Sequence, residues 1–310
     1  MVTVVGSYNV GLFLKGNAFP HPGETVIGDT FHEGGGGKGS NQALAAAKLG
    51  AEVSFIGRIG DDAFGRYAIE LYRSFGVSSG HITVDATIHS GVSVILIDKN
   101  GKNMIMVVPG ANFHLSAADI DSAAELFSRS SIVGFQLENN FDLVEYGIIK
   151  AASCGAKVLL DPAPARPLPD SIFPSIWCVK PNEHEASIIS GIDVVDRASA
   201  VTAGKWFLSK GVKVALITLG ANGAVLVHGD GHEYFATPDF PATDTTGAGD
   251  CFSGAFMAGL SKGMGLSDAV RYANCAAAIS VTRLGVIEAI PTPEEVDELY
   301  KRFGVEGASC

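Results

Sequence analysis

Short apolar runs alternate with helix-patterned segments along most of the chain, and this alternation constrains the fold more than any other feature. Val2–Val5 is a four-residue apolar run ending at Gly6, and similar runs lie near 53–56, 131–135, 157–160, 176–179 and 213–218. They are too short for buried helices and do not alternate with polar residues, so they read as parallel strands covered on both faces. Helical patterns lie near 61–75 (closed by Gly76), 117–128, 142–153, 183–190 and 197–210, and the alanine-rich QALAAAKLG segment ends at Gly50. The C-terminal third reads as helices at 248–262, 267–282 and 293–303, the last opening with the capping box Thr292-Pro293-Glu294-Glu295. This pattern predicts an α/β protein with a mostly parallel central sheet and helices on both faces.

Two places break the alternation. Alternating stretches near 11–16 and 25–32 flank His21-Pro22-Gly23, and stretches at 92–97 and 104–108 flank Asn100-Gly101, a strong hairpin signal. Both read as insertions, at about 11–33 and 90–110, that build a small β-sheet lid on a single domain spanning 1–310. A further hairpin is expected from 223–228 with 232–236.

Bulk properties narrow the partners. The 310 residues carry 22 Lys and Arg against 33 Asp and Glu, a net charge of −11. That balance argues against nucleic acid and an anionic membrane surface, but not against a small anionic ligand held by local N–H groups. Cys154, Cys178, Cys251, Cys275 and Cys310 form no CxxC pair and are odd in number, so buried free thiols in a reducing compartment are expected. The N-terminal stretch lacks a basic region and cleavage site, and no apolar run reaches the ~18 residues of a membrane span. The expected location is the cytoplasm.

Chemistry concentrates at residues 244–260. Asp244-Thr245-Thr246-Gly247-Ala248-Gly249-Asp250 is a glycine-punctuated turn that runs into a helix with Phe252, Phe256 and Leu260 on one face. Gly254, Ala255, Ala258 and Gly259 permit close packing of another element. A loop nearly free of side chains at a helix N-terminus is an anion site, because unpaired N–H groups and the positive end of the helix dipole meet there. Asp250, in the first turn, is either a base beside a charged transition state or a carboxylate that merely complements the dipole.

Other segments admit two readings each. Gly34, Gly36 and Gly39 satisfy G-x-G-x-x-G, but about 28 residues after the first strand and behind the polar stretch GDTFHE. They are misplaced for a dinucleotide fingerprint, and Lys38 followed by Gly39 is not a P-loop. Consecutive glycines cost about 1 kcal/mol each relative to alanine. Close approach of a ligand to the backbone, with Lys38 and Asn41 as polar contacts, is the favoured explanation. Asn182 and Glu185 in the NEHE segment form a capping-box variant or face phosphate and a Mg²⁺-bound water. Glu138 binds a hydroxylated ligand or caps the next helix. Thr218–Gly223 is a hairpin connector or part of a nucleotide pocket. Asp161–Arg166 is a rigid loop without an assigned role, and the eight histidines show no metal spacing.

Taken together these segments resemble the ribokinase (PfkB) family of carbohydrate kinases, closest to its ribokinases. The resemblance rests on GGGGKGSNQALAAAKLGAEVSFIGRIGDDAFG at 34–65 and DTTGAGDCFSGAF at 244–256. PGAN, QLE, DPAPAR, PNEHEA, TLGANG and AAAISVTRLG support it in family order. It implies a ribokinase-like fold and a lid that often forms a homodimer contact. It also implies ATP-dependent, Mg²⁺-requiring phosphoryl transfer to a hydroxymethyl group of ribose or a related pentose or hexose. Asp250 would be the base, with the N–H groups of Gly247, Ala248 and Gly249 holding charge on the phosphoryl group. Asn9, Gly37, Lys38, Asn41 and Glu138 would hold the sugar. Asn182, Thr218, Gly220, Gly223, Gly249 and Asn274 would line the nucleotide site, and Glu185 would meet Mg²⁺ through water. Asp244, Thr246, Ser280, Arg283 and Gly285 match a monovalent-cation site for K⁺, although Ala289 stands where a hydroxyl residue is common.

One departure concerns the substrate. Gly11 stands where the family carries an aspartate that binds the sugar's secondary hydroxyls. Losing that acceptor removes a contact worth roughly 1.5–3 kcal/mol, so weak activity on ribose relative to another sugar or polyol is expected. Alternatives are a nucleoside kinase of the same family, an NAD(P)-binding oxidoreductase using 34–39, and a non-catalytic sugar-binding regulator.

Overall fold

The computed structural model describes residues 1–306. The chain opens with β1 (Val2–Val5), β2 (Asn9–Gly16), β3 (Gly28–Gly36), α1 (Lys38–Lys48), β4 (Val53–Gly60), α2 (Ala63–Ser74) and β5 (Ser78–Asp85). It continues through β6 (Gly91–Ile97), β7 (Asn103–Val108), α3 (Ala117–Ser122), α4 (Ala124–Arg129), β8 (Ile132–Phe135), α5 (Phe141–Ser153), β9 (Val158–Leu160) and β10 (Cys178–Val179). There follow α6 (Glu183–Ser190), α7 (Arg197–Ser209), β11 (Val214–Thr218), β12 (Ala224–His228), β13 (Gly231–Phe235), α8 (Ala248–Ser261), α9 (Leu266–Ser280) and α10 (Pro293–Glu306).

The large sheet has nine strands in the order β13-β12-β11-β10-β9-β8-β1-β4-β5. From β11 to β5 every pairing is parallel, and β12 and β13 add an antiparallel edge. Its central strands are apolar throughout because alternate residues enter two different cores. Val214 and Leu216 of β11 join the core beneath α1, α8 and α9, whereas Ala215 and Ile217 join the core beneath α5, α6 and α7. The predicted helices on both faces supply those two layers.

The second sheet has four strands in the order β3-β2-β6-β7. Both lid segments therefore contribute, with β2 parallel to β6 and hairpin partners on either side. Four expectations need correction. β2 begins at Asn9 and β3 runs through Gly36, so most of the glycine run is strand and not loop: Gly34, Gly35 and Gly36 pair with Gly11, Val10 and Asn9. β5 lacks a clear apolar pattern because it is a half-exposed edge strand, and the sequence reading omits it. The helix expected at 117–128 is broken at Ala123 into α3 and α4. Cys178, Cys251 and Cys275 are buried, but Cys154 is half-exposed, and Cys310 lies outside the described residues.

Close packing positions α8. A Cβ at Gly254 would sit 2.6 Å from both Ala45 Cβ and Gln42 O of α1, and one at Gly259 would sit 3.4 Å from Ala269 of α9. The small residues read from the sequence thus bring α8 against its neighbours, with Phe252 and Phe256 buried in the same core.

Candidate active site

The carboxyl ends of the central parallel strands converge on the N-termini of α1 and α8. Loops there are where open α/β sheets bind ligands. β1 leads to Ser7 and Asn9, β8 to Gln136 and Glu138, β9 to Asp161, β10 to Lys180, and β11 ends at Thr218.

Asp250 lies in the first turn of α8 and is 6 % exposed. Its Oδ2 accepts from Asn41 Nδ2 at 2.9 Å and its Oδ1 from Gln42 Nε2 at 3.2 Å. The same Gln42 amide donates to Asp161 Oδ2 at 2.9 Å, and Gln42 Oε1 accepts from Gln136 Nε2 at 2.7 Å. Gln42 is thus held between two carboxylates and fixes the orientation of Asp250. Asp161 Oδ2 also accepts from Ser253 Oγ at 2.9 Å and pairs with Lys180 Nζ at 3.1 Å. Both partners of that ion pair are 4 % exposed. A Cβ at Gly249 would lie 3.6 Å from Lys180 Nζ, so the ammonium stands beside the start of α8.

Gly247 is the N-cap of α8, in the left-handed region at φ 75°, and no side chain caps it. A Cβ there would meet Val286 Cγ1 at 2.5 Å, so only glycine fits. The Ala248 N–H donates to Thr245 O at 3.3 Å, so of the three N–H groups expected to face an anion this one already has a partner. Gly249, the second residue of α8, is exposed.

The glycine run packs closely against the chain itself. A Cβ at Gly37 would fall 2.8 Å from Asn9 N and 2.9 Å from Ser7 O, and one at Gly39 would fall 2.7 Å from Gly6 Cα. These glycines make room for the chain's own β1–β2 connection. Glu138 reaches back along the chain: its Oε2 accepts from the Lys38 N–H at 2.8 Å and from Ser7 Oγ. It therefore caps α1, while Asn140 caps the helix that follows it. Asn41 Oδ1 is buried without a protein partner. Asn9 Oδ1 accepts from Asn112 Nδ2 at 2.9 Å.

Charge is dense here. Lys38 is held well above the ordinary lysine range, first by the Asp250 carboxylate against the opposing effect of burial, with Asp161, Glu138 and Glu185 adding to it. Burial raises the Glu185 carboxyl above its ordinary value, and the Lys180 charge partly offsets this.

Asn182 and Glu185 form the capping box: Asn182 Oδ1 accepts from the Glu185 N–H at 2.8 Å and Glu185 Oε2 from the Asn182 N–H at 2.9 Å. Asn182 also bridges to Thr218, whose N–H donates to Pro181 O at 3.0 Å. Gly220 and Gly223 both have positive φ, and a Cβ at Gly223 would lie 2.0 Å from Phe235 O. Asn274 Nδ2 donates to Phe235 O and Ala236 O at 3.4 Å each. These contacts bring α6, the β11–β12 turn, the end of β13 and α9 to one rim. At the other end of the loop, Asp244 accepts from the Thr246 N–H at 2.9 Å and the Gly285 N–H at 3.2 Å. Arg283 pairs with Glu295, and Ser280 Oγ donates to Ala277 O. Among the described residues no group of three or more His, Cys, Asp or Glu side chains is placed to hold a metal.

The profile of the pfkB family carbohydrate kinases matches residues 1–293. The chain belongs to the pfkB family. It is 37 % identical over 300 residues to the ribokinase of Haemophilus influenzae, covering 97 % of this chain and 98 % of that one. It is 34 % identical over 298 residues to the deoxyribokinase of Salmonella typhi, covering 96 % and 97 %. The structure of Arabidopsis thaliana ribokinase complexed with ribose and ATP superposes with a TM-score of 0.90 at 30 % identity, covering 97 % of this chain and 98 % of that one. As a pfkB member the chain has the ribokinase-like α/β fold with its separate four-stranded lid.

From the sequence alone Lys180, Gln42, Gln136 and Ser7 have no role, and Asp161 is only the start of a rigid loop. The Lys180–Asp161 pair joins residues from two different strand ends, and the available signal was a lysine closing an otherwise apolar strand.

Proposed function

We propose that Asp250 is the base that takes the proton from a sugar hydroxymethyl group while the N-terminus of α8 and Lys180 stabilise charge on the transferring phosphoryl. The protein is an ATP-dependent sugar kinase of the pfkB family. The observation that carries the proposed roles is the buried Asp250 carboxylate, fixed by two amides, in the first turn of a helix whose start no side chain caps. In-line phosphoryl transfer needs positioning and charge stabilisation more than covalent help, and this arrangement offers both.

Asn41 and Asn9 hold the sugar beside Asp250, and Lys38 and the second oxygen of Glu138 complete that wall. Asn182, Thr218, Gly220, Gly223, Gly249 and Asn274 line the nucleotide, with the adenine toward Asn274. Mg²⁺ arrives on the ATP phosphates and meets Glu185 through water. Two arguments support this. Asp250, Asp161, Glu138 and Glu185 outnumber Lys38 and Lys180, so a triphosphate enters best with its charge reduced. Mg²⁺ also binds through few carboxylates plus phosphate oxygens. K⁺ occupies the Asp244–Thr246 and Ser280–Gly285 segments, drawn together by Asp244. The two sheets act as one catalytic unit, and a cytoplasmic homodimer forms through the lid. Met104, Ile105 and Met106 of β7, 56 %, 58 % and 70 % exposed, support a lid contact.

The test is ADP release over pentoses, hexoses, deoxysugars, polyols and nucleosides, with Mg²⁺ omitted and K⁺ exchanged for Na⁺. Turnover of a sugar that depends on Mg²⁺ is expected; turnover of nucleosides alone would contradict the reading. Analytical ultracentrifugation tests the dimer, and a Met106→Lys variant should shift it to monomer.

A further inference from the structure

Asn9 opens β2, with its Oδ1 accepting from Asn112 Nδ2. Farther along the same face of β2 come Gly11 and Phe13, since alternate residues share a face. Across the ladder, Gly36, Gly34 and His32 stand opposite Asn9, Gly11 and Phe13. On the other side, Ser93 and Ile95 of β6 stand beside Gly11 and Phe13. A Cβ at Gly11 would lie 2.7 Å from Phe13 Cε2 and 3.2 Å from Cζ. The Phe13 ring therefore fills the volume that a side chain at position 11 would occupy. His32 holds the ring from the next strand, with centroids 5.9 Å apart and planes tilted by 37°. Ile95 is buried beside it, and Gly11 and Gly34 are buried on the same face. Around Gly11 and Phe13 this face of the lid offers an aromatic ring, an isoleucine, a neutral hydroxyl at Ser93 and an imidazole, while Glu33 of β3 stands opposite Leu12 on the other face.

We propose that Phe13, in the space left by Gly11, forms an apolar lid subsite, and that the preferred acceptor is a deoxysugar carrying hydrogen where ribose presents a secondary hydroxyl. The proposal rests on the sugar-kinase reading of the Asp250 site and adds the substrate class to it. A hydroxyl carried under the ring loses water and gains no charged acceptor, whereas a C–H edge gains contact with the ring. An apolar pocket rejects an added hydroxyl by up to about 100-fold in kcat/KM, so a preference of roughly 10- to 100-fold is expected.

The experiment compares kcat/KM for D-ribose, 2-deoxy-D-ribose and 3-deoxy-D-ribose in the unmodified protein, in Phe13→Ala and in Gly11→Asp/Phe13→Ala. The unmodified protein should favour at least one deoxysugar over ribose by tenfold or more. Phe13→Ala should bring that ratio toward one, and the double variant should favour ribose. Ribose turned over as well as both deoxysugars by the unmodified protein overturns the subsite alone. So does a ratio that Phe13→Ala leaves unchanged. Turnover of no sugar in the wider panel overturns the sugar-kinase reading with it.

Discussion

Replacing Lys180 with methionine tests how the site combines stability with chemistry. Lys180 Nζ lies 3.1 Å from Asp161 Oδ2 with both side chains 4 % exposed. Removing one partner of a buried pair leaves the other charge uncompensated, typically at about 3–5 kcal/mol. Gln42 and Ser253 still donate to Asp161 Oδ2, so the lower end, about 3 kcal/mol, is expected. For a chain of this size that lowers Tm by roughly 5 °C. The catalytic loss is separate. Lys180 Nζ stands beside Gly249, where the proposed mechanism puts the charge of the transferring phosphoryl, and losing one such electrostatic contact costs about 10²–10³ in kcat. The two effects separate in Lys180→Met/Asp161→Asn, which replaces the ion pair by neutral groups. Differential scanning calorimetry should show most of the lost Tm restored, because a buried pair exchanged for neutral groups is often neutral in stability. Steady-state ADP release should show kcat still depressed. If the double variant recovers kcat together with Tm, Lys180 acts only through folding and its catalytic role is wrong.

Two further predictions concern the scaffold. Gly254→Ala should destabilise by about 1–3 kcal/mol in chemical denaturation, because its Cβ would press to 2.6 Å on Ala45 and Gln42 where α8 crosses α1; an unchanged midpoint would refute that packing. Asp62 caps α2 and also accepts from Ser90 N and Oγ at the root of β6. Burial works to raise its pKa, but the hydrogen bonds from Ser90 and Gly65 outweigh it and the net shift is downward. A depressed carboxylate stabilises the fold above its unfolded pKa, and this contribution fades as pH falls below about 4 toward the folded value. The stability lead of the unmodified protein over Asp62→Asn should therefore hold at pH 6–8 and shrink on acidification; a lead that grows in acid would reverse the sign.

The alternating apolar runs made the central sheet legible, because a strand buried on both faces leaves no polar positions to obscure it. The α8 start was legible for a different reason: Gly247, Gly249 and Asp250 are close in sequence, and a glycine N-cap with an acid in the first turn is a local feature. What escaped was non-local. Lys180 and Asp161 meet only when β9 and β10 pair, and Glu138 caps a helix 100 residues earlier. Gly34–Gly36 were hidden as strand because glycine is depleted in strands, and their pairing with Asn9–Gly11 arises only once the lid forms. β5 escaped because an edge strand with mixed exposure leaves no clean period in the sequence. At Gly11 the absence of a side chain was plain from sequence, but the Phe13 ring that fills the space was not.

Asp250→Asn tests the proposed base most directly. The amide is nearly isosteric, and its oxygen can accept from Asn41 or Gln42, although not from both as the carboxylate does. With the best sugar of the panel, kcat should fall by about 10²–10⁴, the range of a lost general base, while ATP affinity by isothermal titration calorimetry stays within about threefold. A variant that keeps kcat within a few-fold of the unmodified protein would show that Asp250 does not take the sugar's proton.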